Sequence, residues 1–346
     1  MENVLTASRT EEIVAISEAA DVAAARRAAT DLARQIAFPE EVSGRLALVV
    51  TEAATNVLKH AGHGQILLRT LKGEGADGST ARGIELLALD EGAGMADTGA
   101  SMVDGNSTAG TYGVGLGAIR RQADTFDIFS LPGNGTVLRA VVWEVAGARE
   151  RWECGLVCVP LAGEESCGDA GWAAVRDNEV VAMISDGLGH GDAAALASDE
   201  AVALMPALAF VLPPAELALR MHTVLQKTRG AAVAIARLDS SGGRAAFAGI
   251  GNIAACTIVG GERRHLVSLN GIVGHNIRKT QQFDAAWRDD MLLVLHSDGL
   301  TSRWSLDAYP GLEQTHPAII AGVLYRDFYR GRDDVSVLVI RRGSSS

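Results

Sequence analysis

The chain has 346 residues, room for two domains at about 150 residues each, and its 48% hydrophobic and 21% charged residues exclude a disordered or fibrous protein. The balance of 31 basic against 42 acidic residues, a net charge of −11, argues against nucleic acid as the main partner, because a duplex-binding surface needs a concentrated basic patch. Four cysteines are too few for a disulfide framework and point to a reducing cytoplasm. The opening MENVLTASRTEE lacks the basic and apolar regions of a signal peptide, and Ala201 to Leu212 is too short to span a membrane.

In chain order, residues 11–19 alternate as a strand. Asp21 to Ile36 has helical spacing with Asp21 as its cap, and Pro39 ends that run. A second helix is expected from Glu40 to His60, closed by Ala61-Gly62. Strands follow at 65–71 and 83–90, then a Gly-, Ser-, Asp- and Thr-rich loop over 92–110. A short helix at 114–123 and strands at 125–130 and 136–145 complete the first half. The small, charged stretch AGARERWE marks a boundary, dividing the chain into 1–147 and 148–346. Beyond it, nine short strands are expected at 154–160, 170–176, 179–185, 231–238, 244–249, 254–259, 281–287, 291–296 and 335–341. Only three helices accompany them, at 192–208, 214–228 and 316–328. Many strands with few helices indicate stacked antiparallel sheets covered by helices, an α+β class.

Four segments of the first half carry chemistry in combination. Glu52 and Asn56 leave one face of the second helix, where an amide oxygen suits Mg²⁺ and a carboxylate suits proton transfer. Asp90 ends an apolar strand and can accept from an exocyclic amine, while Gly92 and Gly94 let backbone pass close to a ring. Gly113, Gly115 and Gly117 open a helix, where exposed N–H groups favour phosphate. Gly135-Thr136 precedes the last strand. Each segment alone is a common surface feature or turn; their order and spacing change that.

The segments TEAATNVLKHAGHGQI, DEGAGM, STAGTYGVGLGAIRRQADTFDIFS and GNGT resemble the Bergerat-fold (GHKL) ATPase and kinase superfamily. They are closest to the switch-protein serine kinases of partner-switching and stressosome systems. The resemblance covers residues 10–145 and implies an α/β sandwich binding ATP and Mg²⁺. It makes Asn56 the Mg²⁺ ligand, Asp90 the adenine contact, and Glu52 the acceptor of the substrate hydroxyl proton. Gly92 and Gly94 then belong to the adenine pocket, Gly113, Gly115 and Gly117 contact phosphate, and Thr136 is a further cofactor-binding residue. Ala93 and Met95 stand where Pro and Ile are commoner, and neither swap removes a polar group.

In the second half, Asp186 and Asp298 follow the apolar strands VVAMIS and MLLVLHS, with Asp169 and the pair Asp333-Asp334 nearby in pattern. A carboxylate at the end of a buried strand is costly unless a cation offsets it. Several converging carboxylates suit two Mg²⁺ or Mn²⁺ ions about 3.5–4 Å apart, which activate water against a phosphate ester. Asp-Gly is also a frequent turn pair, so strand-end turns are the plain alternative. His190 and His296 lie beside these acids in sequence. His190 is the better general acid, whereas His296 reads more readily as a core residue. The cysteines lack a second pair to complete a zinc site, and Gly251-Asn252 reads as a turn.

The segments GDAGW, ISDGLGHG, LHSDGLTSRW and RDDVSVLVI resemble the PPM-type metal-dependent serine/threonine phosphatases, in their SpoIIE-like branch. This implies a four-layer αββα sandwich over residues 154–341. Asp186 would bridge two metals, the Gly187 carbonyl would bind one, Asp298 and Asp333 would complete the first site, and Asp169 would support the second. Asp334, next to a ligand, is the poorer candidate. Together the halves imply a switch that phosphorylates and dephosphorylates Ser or Thr of STAS-type regulatory proteins, with a sigma factor or downstream phosphatase as a further partner. The alternative is an active phosphatase whose N-terminal half only binds ATP and a partner.

Overall fold

A computed structural model describes residues 12–98, 115–148 and 150–343. They form two units: residues 10–149 group with 309–326, and 150–308 group with 327 onward. Each unit has its own sheets and core.

The first unit is built on one antiparallel sheet. Its elements are β1 (Glu12–Ile16), α1 (Ala19–Gln35), α2 (Glu40–Ala61), β2 (Gly64–Glu74), β3 (Thr80–Asp90), α3 (Gly115–Gln122), β4 (Thr125–Ser130) and β5 (Thr136–Trp143). The strand order is β1-β2-β3-β5-β4. Asp21 is not the cap of α1. Glu18 takes that place, and Asp21, in the first turn, accepts the backbone N–H groups of Ser17 and Glu18 at 2.8 and 2.9 Å. Strand alternation sorts the sheet's side chains onto two faces. Ile66, Leu68, Ile84, Leu86, Ala88, Leu138, Ala140 and Val142 pack against α1 and α2. The opposite face buries Arg69, Glu85 and Arg139, with Glu85 accepting from both guanidiniums. The same face receives residues 309–326. A Cβ on Gly322 would lie 3.0 Å from both Leu89 Cδ2 and Val137 Cγ1, so a side chain there would press on both. His316 N–H donates to Asp127 Oδ2 at 2.7 Å, and the Tyr325 hydroxyl bonds Gln65 Oε1 at 3.0 Å.

The second unit stacks two antiparallel-rich sheets. Its elements are β6 (Trp152–Val159), β7 (Asp169–Arg176), β8 (Glu179–Gly187), α4 (Asp192–Leu208), α5 (Pro214–Leu225), β9 (Ala231–Asp239), β10 (Arg244–Ile250), β11 (Ala254–Val259), β12 (Glu262–Leu266), β13 (Ser268–Leu269), β14 (Gly271–Ile272), β15 (Asn276–Ile277), β16 (Phe283–Ala286), β17 (Leu292–His296) and β18 (Val335–Arg342). Between β17 and β18 runs α6 (Pro317–Phe328), whose residues through Arg326 belong with the first unit. One sheet has the order β13-β10-β9-β8-β7 with β16 on β10, and the other β12-β11-β17-β18-β6. Val181, Met183, Val233 and Ile235 pack against α4 and α5. The alternate residues Val180, Ala182 and Ile184 are buried on the other face. Burial on both faces explains why β8 reads as an unbroken apolar run. The short pairs β12 to β15 carry no such run, which is why periodicity did not reveal them. Among the described residues no helix is long and apolar enough to cross a membrane.

Candidate functional sites

In the first unit, α2 brings Glu52 and Asn56 to one face a turn apart. Gly115, the first residue of α3, sits directly before them: a Cβ there would lie 2.8 Å from Asn56 Oδ1 and 3.4 Å from Glu52 Oε2. The Asn56 amide nitrogen is buried and has no hydrogen-bond partner among the described residues. A buried, unspent amide beside a helix N-terminus, with a carboxylate one turn away, is a donor set that suits a metal-bound polyphosphate. Gly117 is buried inside α3, and Gly113 lies outside the described residues.

The end of β3 forms the second wall. Asp90 pairs in register with Thr136 of β5, and its Oδ1 accepts the Gly92 N–H at 2.9 Å. Gly94 has φ +67°, and a Cβ on it would fall 1.9 Å from the Leu131 carbonyl oxygen. Gly135 is as tightly held, 2.0 Å from the Asp90 carbonyl by the same measure. Side chains at either position would push the DEGAG and GNGT loops apart. Ser130 Oγ joins the loops, accepting from Met95 N–H at 2.8 Å and lying 3.0 Å from Thr136 Oγ1. Burial lifts the Asp90 carboxyl above its ordinary value, against the Gly92 N–H and the Arg326 guanidinium, which favour its charged form. Arg326 also donates to the Asp90 carbonyl at 3.0 Å. No local pattern in the sequence pointed to that residue.

In the second unit, Asp169 and Asp186 face each other on one rung of the β7–β8 ladder. Burial, reinforced by the charges of Asp169, Asp298 and Asp333, pushes Asp186 up to about 9. Burial also pushes Asp169 up to about 7, although hydrogen bonding from Ser297 pulls against it, and burial raises Asp333 as well. These acids crowd one another in a poorly solvated place, where a divalent cation is the natural counter-charge. Among the described residues, no group of three or more His, Cys, Asp or Glu is arranged to hold a metal ion, so binding would have to draw their oxygens inward. The donor chemistry nonetheless fits hard cations, since every candidate ligand is an oxygen. Gly187 is pinned at this point: its Cβ would lie 2.1 Å from the Ala194 carbonyl oxygen of α4.

Three neighbours are fixed by contacts that sequence reasoning missed. Asn252, read as a turn residue, donates its amide to Asp298 Oδ2 at 2.5 Å. Glu164 Oε1 lies 2.6 Å from His190 Nδ1. Asp334 accepts the N–H groups of Leu161 and Gly168, one on each carboxylate oxygen, both at 2.8 Å. It therefore clamps the loop that leads into Asp169. His296 is a core residue. Its Nε2 accepts from Trp304 Nε1 at 3.0 Å, which leaves Nδ1 to donate to the Ser297 carbonyl at 2.8 Å, and burial lowers it to about 4. All four cysteines are buried, and Cys158 Sγ lies 3.6 Å from Cys167 Sγ.

Two protein families match separate stretches of the chain. The histidine kinase-like ATPase domain family matches residues 16–142, and the stage II sporulation protein E (SpoIIE) family matches residues 176–343. The serine/threonine-protein kinase RsbT of Bacillus subtilis (strain 168) is 32% identical over 123 residues, 36% of this chain and 89% of RsbT. A structure from the bacterial stressosome, a modular system adapted to control secondary messenger signalling, is 27% identical with a TM-score of 0.50. It covers 56% of this chain and 100% of its own. The PP2C phosphatase domain of the cell fate determinant SpoIIE from Bacillus subtilis, with a fragment of its regulatory domain, is 17% identical with a TM-score of 0.48. It covers 94% of this chain and 95% of its own. A kinase-like ATPase domain and a PPM-type phosphatase domain in one chain fit a partner-switching regulator. The chain thus belongs to the histidine kinase-like ATPase family through its first part, as a relative of RsbT, and its second part matches the SpoIIE family over residues 176–343.

Proposed function

We propose that this protein sets the phosphorylation state of Ser or Thr on STAS-type regulatory proteins in the cytoplasm, adding phosphate with residues 1–147 and removing it with 148–346. The observation that carries the kinase half is the convergence of Glu52, Asn56 and Gly115. An acid beside the proposed polyphosphate position is superfluous for binding nucleotide but necessary for accepting a hydroxyl proton.

In the first unit Asn56 holds Mg²⁺ of bound ATP, the N-terminus of α3 with Gly113, Gly115 and Gly117 takes the phosphates, and Asp90 orients adenine beside Gly92, Gly94 and Thr136. Glu52 accepts the proton of the attacking Ser or Thr. In the second unit Asp186, Asp298, Asp333 and the Gly187 carbonyl hold the cations, and Asp169 supports the second. Two Mn²⁺ or Mg²⁺ ions, when bound, supply an activated water and neutralise phosphate charge. His190, oriented by Glu164 at 2.6 Å, gives a proton to the leaving alkoxide. A released STAS protein then changes partner, which extends control to a sigma factor or downstream phosphatase.

The test uses the full chain with Mg·ATP and a cognate STAS protein, followed by mass spectrometry. Asp186→Asn should accumulate phosphoprotein, and the wild type with Mn²⁺ should remove the phosphate. Glu52→Ala should retain ATP binding and lose transfer, whereas Asn56→Ala should lose Mg·ATP. Absence of transfer by Asp186→Asn would defeat the kinase assignment and favour a first unit that only binds nucleotide and partner.

A further inference from the structure

The β8–β9 ladder ends beside the acidic rung. Gly187 pairs with Ala231, and beyond the strands Leu188 N–H donates to the Gly230 carbonyl at 3.0 Å. That bond extends the pairing by a residue and sets Arg229 across from Gly189. The turn is anchored on both sides. The Thr228 hydroxyl donates to the Leu225 carbonyl at 2.8 Å and accepts the Gly230 N–H at 3.0 Å, while Ala231 and Val273 exchange backbone bonds of 3.0 and 2.9 Å. A Cβ on Gly189 would lie 3.1 Å from Arg229 Nη1. The guanidinium thus lies over the loop that joins Asp186 to His190.

Three arginines of this unit have structural tasks. Arg237 donates to the carbonyls of Ala209 and Leu212, Arg176 stacks 4.3 Å over Phe210, and Arg263 caps Trp304 at 4.5 Å and donates to its carbonyl. Arg229 is exposed and, among the described residues, makes no hydrogen bond or ion pair. An arginine on a well-braced turn, lying over the loop that follows Asp186 and paired with no carboxylate, has its planar fork of donors unspent. That fork matches two non-bridging oxygens of a phosphate.

We propose that Arg229 is the phosphate-recognition residue of the C-terminal site, gripping the phosphomonoester dianion of a phosphoserine or phosphothreonine. The assignment rests on the phosphatase reading above, and the experiment separates the two. Inorganic phosphate binding to the full, Mn²⁺-loaded protein is measured by calorimetry, alongside turnover of a phosphorylated STAS protein. Arg229→Ala should weaken phosphate binding and raise KM about tenfold or more, with Mn²⁺ affinity unchanged. Arg229→Lys should recover part of the loss, because an ammonium keeps the charge without the bidentate geometry. Arg229→Gln, which keeps length and polarity, controls for folding. Phosphate affinity in the Ala and Gln variants equal to wild type would overturn the assignment, even with turnover intact. Arg229-dependent phosphate binding by a wild type that hydrolyses no phosphoprotein would support the anion site and overturn the phosphatase reading instead.

Discussion

Asn252 and Asp298 lie 46 residues apart in the chain, and the amide of the first donates to Oδ2 of the second at 2.5 Å. The bond leaves Oδ1 of Asp298 as the oxygen free to turn toward a cation. Partners of this kind orient metal ligands, and their loss typically costs 10- to 100-fold in metal affinity. Asn252→Ala should lower Mn²⁺ affinity at least about tenfold by calorimetry while leaving the melting temperature of the metal-free protein nearly unchanged, because the pair is exposed.

Asp334 is buried and spends both oxygens on backbone N–H groups. Hydrogen bonds to a charged group contribute about 1.5–3 kcal/mol each. Asp334→Ala should destabilise the protein by about 3 kcal/mol or more in a denaturant titration. Asp333→Asn, at the half-buried neighbour, should weaken metal binding with little effect on the same titration.

The buried trio of Arg69, Glu85 and Arg139 makes the first unit acid-sensitive. Burial by itself would raise the Glu85 carboxyl, but the two guanidiniums outweigh it and hold the group below its ordinary value. Stability from a depressed carboxyl is complete above its unfolded value of about 4.3 and lost as pH falls through the folded value. The melting temperature should therefore drop below about pH 4. Glu85→Gln should remove that contribution and cost about 3–5 kcal/mol at neutral pH, since it leaves two buried cations without their anion.

Gly115→Ala would set a methyl 2.8 Å from Asn56 Oδ1. The substitution is compatible with helix, so the fold of the first unit should persist by circular dichroism. Binding of a fluorescent ATP analogue in Mg²⁺ should weaken at least about tenfold. Wild-type affinity would show that the nucleotide does not use this approach.

Gly322 approaches Leu89 and Val137 at the limit of contact. Gly322→Val would place branched carbon where those side chains already stand, and overpacking of this kind costs about 1–3 kcal/mol. Its melting temperature should fall, and substituting Leu89 by Ala alongside it should restore part of the loss.

The elements themselves were legible in the sequence. The helix expected at 192–208 and the strand expected at 254–259 appear with those bounds, because apolar period and turn residues are local signals. The Asp-Gly ends of β8 and the segment after β17 were equally plain, as were Glu52 and Asn56 on one helical face. Other features depended on the tertiary structure. Asp334 turns to Leu161 and Gly168, Asn252 to Asp298, and Arg326 to the carbonyl of Asp90, 236 residues away. Residues 309–326 group with the first unit although they follow β17 of the second. A polar side chain's type determines what it can donate or accept, but the partner it finds is set by which backbone the fold brings within about 3 Å. Local periodicity reports which side of an element is buried. It carries no record of the distant segment that will cover it.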